Sequence, residues 1–127
     1  MSETINYLGI DWGEKRIGLA TADSDVCLAL PFKTVANLDE VLQVIKEEEI
    51  NCVVVGDPIK MGGAAANNPL WLDFMTKLKA SAPCKVEVLD ERLSSLAADA
   101  KFGSKKDKAG RDEIAASIIL QDYVDMN

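Results

Sequence analysis

Two short apolar stretches separated by a polar turn open the chain. Tyr7 to Ile10 is an apolar run typical of a buried strand, and Gly13 supplies the backbone freedom that a turn requires. Beyond this turn, apolar residues alternate with small ones, as they do in a second strand. The pattern therefore predicts an antiparallel hairpin with strands over Ile5 to Asp11 and Arg16 to Thr21.

The next apolar stretches predict an edge strand, a helix and a central strand. Val26 to Leu30 predicts a third strand, and Pro31 places it toward an edge because proline cannot donate to a ladder. Asn37 opens a helix, with Glu40 three residues later in a capping-box pattern. Cys52 to Gly56 is apolar on both alternations, which is typical of a parallel strand covered on both faces. We expect it to lie beside the first strand.

The second half of the chain alternates loops with helical patterns around one more strand. Asp57 to Asn68 is rich in Gly, Ala and Asn and is predicted to be a loop. A helix is predicted over Leu70 to Ala80, and its buried face carries Leu70, Phe74, Met75 and Leu78, with Trp71 at or beside that face. A strand over Val86 to Leu89, a helix over Ser94 to Lys101 and a basic loop over Gly103 to Gly110 are predicted next. The last predicted helix runs from about Arg111 to Val124, and its buried face carries Ile114, Ala115, Ile118, Ile119 and Tyr123.

This order of elements predicts an α/β fold. A hairpin followed by strands that alternate with helices gives a five-stranded mixed sheet flanked by helices. At 127 residues and 48% hydrophobic, the chain has the length and composition of a single domain, residues 1–127. The carboxyl ends of parallel strands line one edge of such a sheet, where α/β proteins usually place their sites.

Composition narrows the possible chemistry and location. No apolar run approaches the roughly 20 residues that a membrane span requires, and the start, MSETINY, has no signal-peptide pattern. We therefore expect a cytoplasmic protein with no membrane partner. The three cysteines are far apart and fit reduced thiols better than disulfides or a zinc site. Histidine is absent, so acid and base chemistry falls to carboxylates, Lys and Tyr.

Acidic residues recur where the predicted strands end. Asp11 ends the first predicted strand, and a carboxylate there is costly to bury unless a ligand, a metal or the adjacent turn meets it. Asp90 and Glu91 follow the last strand, and the final helix can bring Asp112 to the same edge. The helix dipole favours an acid in a first turn without any function, which is the alternative for Asp112. Converging carboxylates without histidine suit Mg²⁺ or Mn²⁺, and two such ions can hydrolyse a phosphodiester.

Charge is unevenly distributed along the chain. The net charge is −7, yet residues 92–111 carry a local balance of +4 and the remainder −11. This basic segment either contacts nucleic acid or is a solvated loop that aids solubility. Its cations are Arg92, Lys101, Lys105, Lys106, Lys108 and Arg111.

Four runs together resemble one known family. GIDWGEKRIGLATAD, VVVGDPIKMGG, VLDERLS and RDEIAASIILQDYVD are similar, in order and spacing, to the YqgF (RuvX) family of the ribonuclease H-like superfamily. The resemblance implies a ribonuclease H-like fold and a metal-dependent nuclease. Members are described both as Holliday junction resolvases and as nucleases that mature the 5′ end of 16S ribosomal RNA, so precursor rRNA, branched DNA and ribosomal particles are the implied partners. A monomer or a homodimer is expected, and junction cutting requires the dimer.

The resemblance also assigns residue roles. It implies that Asp11, Glu91 and Asp112 are the catalytic acids and metal ligands. Strand alternation sends Asp90 and Glu91 to opposite faces, and the family match favours Glu91, with Asp90 as a further candidate ligand. The implied substrate-binding cations are Lys15, Arg16 and Arg92 near the phosphate, and Lys105, Lys106, Lys108 and Arg111 farther out.

The chain departs from this family at one loop. The family pattern G-L-P-x-x-M-D-G reads GDPIKMGG here, so Asp57 replaces an apolar residue and Gly62 replaces an acid. Asp57 is either an added ligand or a charge that repels substrate. Two other functions stay open: a phosphate-binding module of the actin and sugar-kinase ATPase kind, and a non-catalytic nucleic-acid or ribosome-associated module with the same fold.

Overall fold

Five strands and three helices form the part of the chain that the structure describes. The computed structural model describes residues 4–57, 69–90 and 108–126, with the backbone alone at positions 57, 90 and 108–112. The elements are β1 Asn6–Trp12, β2 Ile17–Asp23, β3 Leu30–Val35, α1 Leu38–Glu47, β4 Cys52–Asp57, α2 Pro69–Ser81, β5 Lys85–Asp90 and α3 Lys108–Met126.

The strands form one mixed sheet in the order β3-β2-β1-β4-β5. Strand β2 pairs antiparallel with both β1 and β3, whereas β4 pairs parallel with both β1 and β5. This arrangement confirms the five-stranded mixed sheet and the position of β4 beside β1. The carboxyl ends of β1, β4 and β5 therefore lie at the same edge of the sheet.

Helices cover both faces of the sheet. Leu8 and Ile10 of β1 belong to a core shared with α1 and α2, whereas Val54 of β4 packs with Ile119 and Leu120 of α3 on the other face. Because the central strands are covered on both faces, their sequences are apolar at successive positions rather than at alternate ones. No helix within the described residues is long and apolar enough to cross a bilayer.

Helix α1 begins and ends with well-defined caps. The Glu40 backbone N–H donates to the Asn37 side chain at 3.0 Å, which confirms the predicted N-cap. The Glu40 carboxylate in turn accepts from the Ala36 N–H at 2.8 Å rather than from that of the cap residue. At the other end Glu49 has φ 52°, a left-handed conformation that glycine favours, and Ile50 N–H donates to Ile45 at 3.0 Å.

The predicted third strand is displaced along the chain. The sequence pattern predicts Val26 to Leu30, whereas β3 covers Leu30–Val35 and contains Pro31. Its edge position is as predicted, and an edge tolerates a proline because one side of the strand needs no ladder bonds. Residues 24–29 instead form a turn and loop whose backbone bonds to Asp23 and Gln121.

Two predicted helix faces are rotated from the observed ones. Leu70 is exposed and Trp71 is buried with the rest of the α2 face. Ile114 is exposed, whereas Ala116, Ile119 and Leu120 are fully buried. Helix α3 also begins at Lys108, three residues before the predicted start, so the end of the predicted basic loop is helical. The predicted helix over Ser94 to Lys101 and loop over Asp57 to Asn68 lie outside the described residues, except for position 57.

Candidate active site

Asp11 lies inside β1, not at the end of the strand as the sequence suggested. It pairs with Gly18 of β2, and the next pair, Trp12 with Ile17, closes the hairpin. The tight turn covers residues 13–16, where a Cβ on Gly13 would meet the Arg16 carbonyl oxygen at 2.7 Å. Asp11 is half-buried. Its carboxylate is therefore held by a rigid paired strand, which positions a functional group more accurately than a loop does.

Glycines lie on both sides of Asp11 in the sheet. Gly18 is its partner in β2, and Gly56 of β4 lies one step beyond the Ile10–Val55 pair. Both glycines are buried. Gly18, the position directly paired with Asp11, presents no side chain to the face on which Asp11 lies. The sequence did not predict this arrangement, because it depends on strand pairing.

Helix α3 runs antiparallel to β1 across this face. The rings of Tyr7 and Tyr123 lie 6.1 Å apart, and a Cβ on Gly9 would meet Leu120 Cβ at 2.7 Å. From Tyr7 to Gly9 along β1, the contacts therefore move toward the beginning of α3. Two further strand residues advance about 7 Å, which corresponds to four or five helical residues. This brings Asp11 level with the first two turns of α3, where position 112 lies about one turn before Ala116.

A hydrogen bond anchors the beginning of α3 to the edge strand. Thr34 Oγ1 donates to Glu113 Oε2 at 3.1 Å, and both side chains are half-buried. Thr34 pairs with Gly18, which pairs with Asp11, so Thr34 and Asp11 lie on one line across the sheet. The sequence pattern does not predict this pair, because no local signal links two residues 79 positions apart.

The ends of β4 and β5 supply the other acidic positions. Positions 57 and 90 are paired across these strands, and Gly56 is paired with Leu89. Leu89 packs on the α3 face, where Asp11 lies, while Val55 belongs to the core under α1 and α2. Because successive strand positions alternate between the two faces of the sheet, position 90 belongs to the face of Val55, which is opposite to the face of Asp11. Glu91 itself lies outside the described residues.

The predicted cations fall into two groups. Lys15 and Arg16 occupy the exposed turn directly after β1, at the same edge as Asp11. The backbones of Lys108 and Arg111 lie in the first turn of α3. Arg92, Lys105 and Lys106 lie outside the described residues, as does Gly62. The described positions of these cations therefore lie in two elements, the hairpin turn and the first turn of α3.

The donor set at this edge consists of oxygen atoms. Among the side chains that the structure describes, no three acids or thiols converge on one point, and those of Glu91 and Asp112 are not in that set. With no histidine in the chain, and with Cys52 and Cys84 near the start of β4 and β5, carboxylates are the ligands available near Asp11. Such a set fits a hard divalent cation.

Two groups with raised pKa values lie away from this site. Burial raises the pKa of Tyr123 to about 12, with Cys52 and its hydrogen bond to the tyrosine adding to the shift. Burial likewise raises the pKa of the Cys52 thiol. Both side chains lie near Tyr7 at the amino end of β1, away from Asp11, and their surroundings favour the neutral forms of the two groups. We interpret them as core residues that carry no catalytic role.

The fold and this edge define a class of protein. A five-stranded mixed sheet with helices on both faces and an acid on its central strand is a ribonuclease H-like fold. The family model described as "RuvX: Holliday junction resolvase" matches residues 5–126, and the chain belongs to this family.

Named relatives agree with the family match. The chain is 38% identical over 130 residues to a "Putative pre-16S rRNA nuclease" of Chloroflexus aurantiacus, covering 93% of this chain and 85% of that protein. A relative of the same name from Chloroflexus aggregans is 38% identical, with 93% and 92% covered. The solved structure of T. thermophilus RuvC with a Holliday junction substrate has a TM-score of 0.60 at 17% identity, covering 94% of this chain and 93% of that one. At that identity the likeness concerns the fold.

Proposed function

We propose that this protein is a divalent-metal-dependent nuclease that hydrolyses phosphodiester bonds in structured nucleic acid. The observation that carries the proposal is the placement of Asp11 on a central strand between two glycines, level with the beginning of α3. This placement fixes the carboxylate on a paired strand, at the edge where phosphates and their ions would bind. The family match over residues 5–126 favours a nuclease over the ATPase-type module that the sequence also allowed.

Asp11, Glu91 and Asp112 are the acids that we assign to the site. Asp11 and position 112 lie on facing elements, and the alternation of β5 disfavours Asp90 as their partner. Together these carboxylates would hold Mg²⁺ or Mn²⁺, which activates a water and stabilises the leaving oxygen. The protein's own part is to keep three like charges ionised and close together, a placement that bound cations make favourable.

Cations at the same edge would bind the substrate backbone. We assign Lys15 and Arg16 of the hairpin turn and Arg92 to phosphates near the cut, and Lys105, Lys106, Lys108 and Arg111 to phosphates farther along the strand. Such contacts position a nucleic acid without reading its sequence. Because each such contact releases counterions from the nucleic acid, binding should weaken as the salt concentration rises.

Precursor 16S rRNA is the substrate that we favour, because relatives at 38% identity carry that activity in their name. The family description favours a second candidate, the four-way DNA junction. The test is to incubate the purified protein with Mg²⁺ or Mn²⁺ and each substrate, with a chelator as control. Cleavage of the RNA alone supports our choice, and cleavage of the junction alone reverses it. Absence of cleavage of both, with binding retained, would assign the chain to the non-catalytic module.

Oligomeric state separates the two candidates further. A resolvase cuts paired strands symmetrically and therefore needs two sites in a dimer, whereas maturation of one RNA end needs one site. We expect a monomer in sedimentation at working concentration.

Neutralising the basic segment should weaken substrate binding. We expect the triple change of Lys105, Lys106 and Lys108 to glutamine to reduce affinity and to flatten the salt dependence, since each lost phosphate contact lowers the slope by about 1. The measurement is a binding isotherm at several salt concentrations. Lys77→Gln and Lys79→Gln in α2 serve as the matched control, and an unchanged slope in the triple variant would assign the segment to solubility.

Removing the Thr34 hydroxyl should loosen the start of α3. Thr34→Val keeps the shape of the side chain but leaves the half-buried Glu113 carboxylate without this donor. We expect about 1 kcal/mol of lost stability and a lower cleavage rate, because position 112 would no longer be held as firmly relative to Asp11. Urea unfolding and cleavage assays measure the two effects. Thr4→Val, which removes an exposed bond to Asp25, is the control; equal effects in both variants would contradict the role.

A further inference from the structure

A groove at the opposite end of the sheet combines exposed apolar side chains with acids. It has a volume of about 420 Å³ and lies at the amino end of β1, between the loop after β2 and the end of α1. We call it the acidic groove. Its lining includes Asn6, Asp23, Val26, Leu28, Leu30 and Glu48.

The apolar lining of the acidic groove is unusually exposed for large side chains. Val26, Leu28 and Leu30 have exposed fractions of 66%, 52% and 55%. These three residues lie within five positions of the chain and line the same groove as the acids Asp23 and Glu48. Exposed apolar side chains grouped in this way typically mark contact surfaces.

The loop that presents these residues is held in place. The Asp23 carboxylate accepts from the N–H groups of Asp25 and Val26 at 3.0 and 2.8 Å. Farther along, Gln121 of α3 accepts from the Ala29 N–H at 2.8 Å and donates to the Cys27 carbonyl at 3.1 Å. The loop is therefore fixed from both ends with its apolar side chains outward, and a fixed surface loses little entropy on binding.

The charges around the acidic groove select the kind of occupant. Asp23 and Glu48 are its lining acids, and no cation belongs to the lining that the structure describes. Glu47 and Glu49 flank Glu48 in the chain, with Lys46 as the nearest basic residue in sequence. This surface repels nucleic acid. It equally disfavours a second copy of the chain, because a two-fold contact would bring the same acids together.

We propose that the acidic groove binds a basic peptide segment of a partner protein that inserts apolar side chains between Val26, Leu28 and Leu30. Its cations would pair with Asp23 and Glu48. Asn6 and Asp11 lie five residues apart on β1, which is about 17 Å, so an occupant here leaves the catalytic edge open. The groove would thus recruit the enzyme to a partner while the other end of the sheet handles nucleic acid.

The test is the anisotropy of a fluorescein-labelled peptide of alternating lysine and leucine, titrated with the full chain. We expect Glu48→Lys and Val26→Ser each to weaken binding by about tenfold, as loss of a central contact does. Glu47→Lys makes the same charge change one residue away and outside the groove, and Leu72→Ser removes an exposed apolar side chain on α2. Both controls should stay within about twofold of the unmodified chain.

Three results would overturn the proposal. Equal weakening by Glu47→Lys and Glu48→Lys would mean attraction to the overall negative charge. Equal weakening by Leu72→Ser and Val26→Ser would mean non-specific apolar contact. Self-association in sedimentation that Val26→Ser abolishes would assign the groove to a dimer interface. Because cleavage is not the readout, failure here leaves the nuclease proposal untouched.

Discussion

We expect Asp11→Asn to lower the cleavage rate by about a thousandfold or more while the protein stays folded. Asparagine has nearly the same shape as aspartate but no charge, so it binds a divalent cation poorly. Several kcal/mol of transition-state stabilisation are lost with the ion, and each 1.4 kcal/mol is about a factor of ten in rate. Single-turnover cleavage with Mg²⁺ or Mn²⁺ measures the effect.

The design of this experiment separates chemistry from folding. Glu47→Gln makes an equivalent charge change at an exposed position of α1 and should leave the rate unchanged. Glu91→Gln and Asp112→Asn should lower the cleavage rate about as much as Asp11→Asn does. Asp90→Asn should lower it less, because alternation along β5 puts position 90 on the opposite face of the sheet from Asp11. Full activity in the Asp11→Asn protein would refute the assigned site.

Gly9→Ala should destabilise the protein, because the added methyl group would meet helix α3. The new Cβ would lie 2.7 Å from Leu120 Cβ and 2.9 Å from the Ala116 carbonyl oxygen. Neither contact involves the flexible end of a side chain, so the helix must move away from the sheet. Overpacking of this kind costs about 1–3 kcal/mol, and urea unfolding midpoints measure it.

Gly13→Ala provides the matched comparison. Its Cβ would also meet an atom at 2.7 Å, but that atom is the Arg16 carbonyl oxygen of the same short turn. A local turn can adjust without moving a helix, so we expect a smaller loss of stability. Gly9→Ala should in addition slow cleavage, because displacement of α3 separates position 112 from Asp11. Equal destabilisation by the two changes would contradict the proposed role of Gly9.

Local signals predicted the elements well where neighbouring residues set the structure. The Asn37 cap, the apolar run of β4 and the turn at Gly13 each depend on a few adjacent residues, and all three are confirmed. The third strand was misplaced because its loop is held by distant groups. Gln121 lies 92 residues from Ala29, and no local pattern predicts that bond.

The helix faces show the same limit. Ile114 and Leu70 fit the apolar stripes of their helices by spacing, yet both are exposed. A stripe read from periodicity is uncertain by one position, or about 100° of rotation, when apolar residues lie on several sides. The rotation of α3 about its axis depends on Gly9, because the absence of a side chain there lets Leu120 and Ala116 pack against β1.

For the candidate site, the motifs and their order indicated the family to which the chain belongs. The assignment of Asp11, Glu91 and Asp112 as its acids follows from that resemblance and stays a prediction. Those signals are local, since each motif is a short run of adjacent residues. Only the folded molecule shows the pairing of Asp11 with Gly18, the bond from Thr34 to Glu113, and the acidic groove. Each joins residues far apart in the chain, and such contacts arise from packing and strand register rather than from local preference.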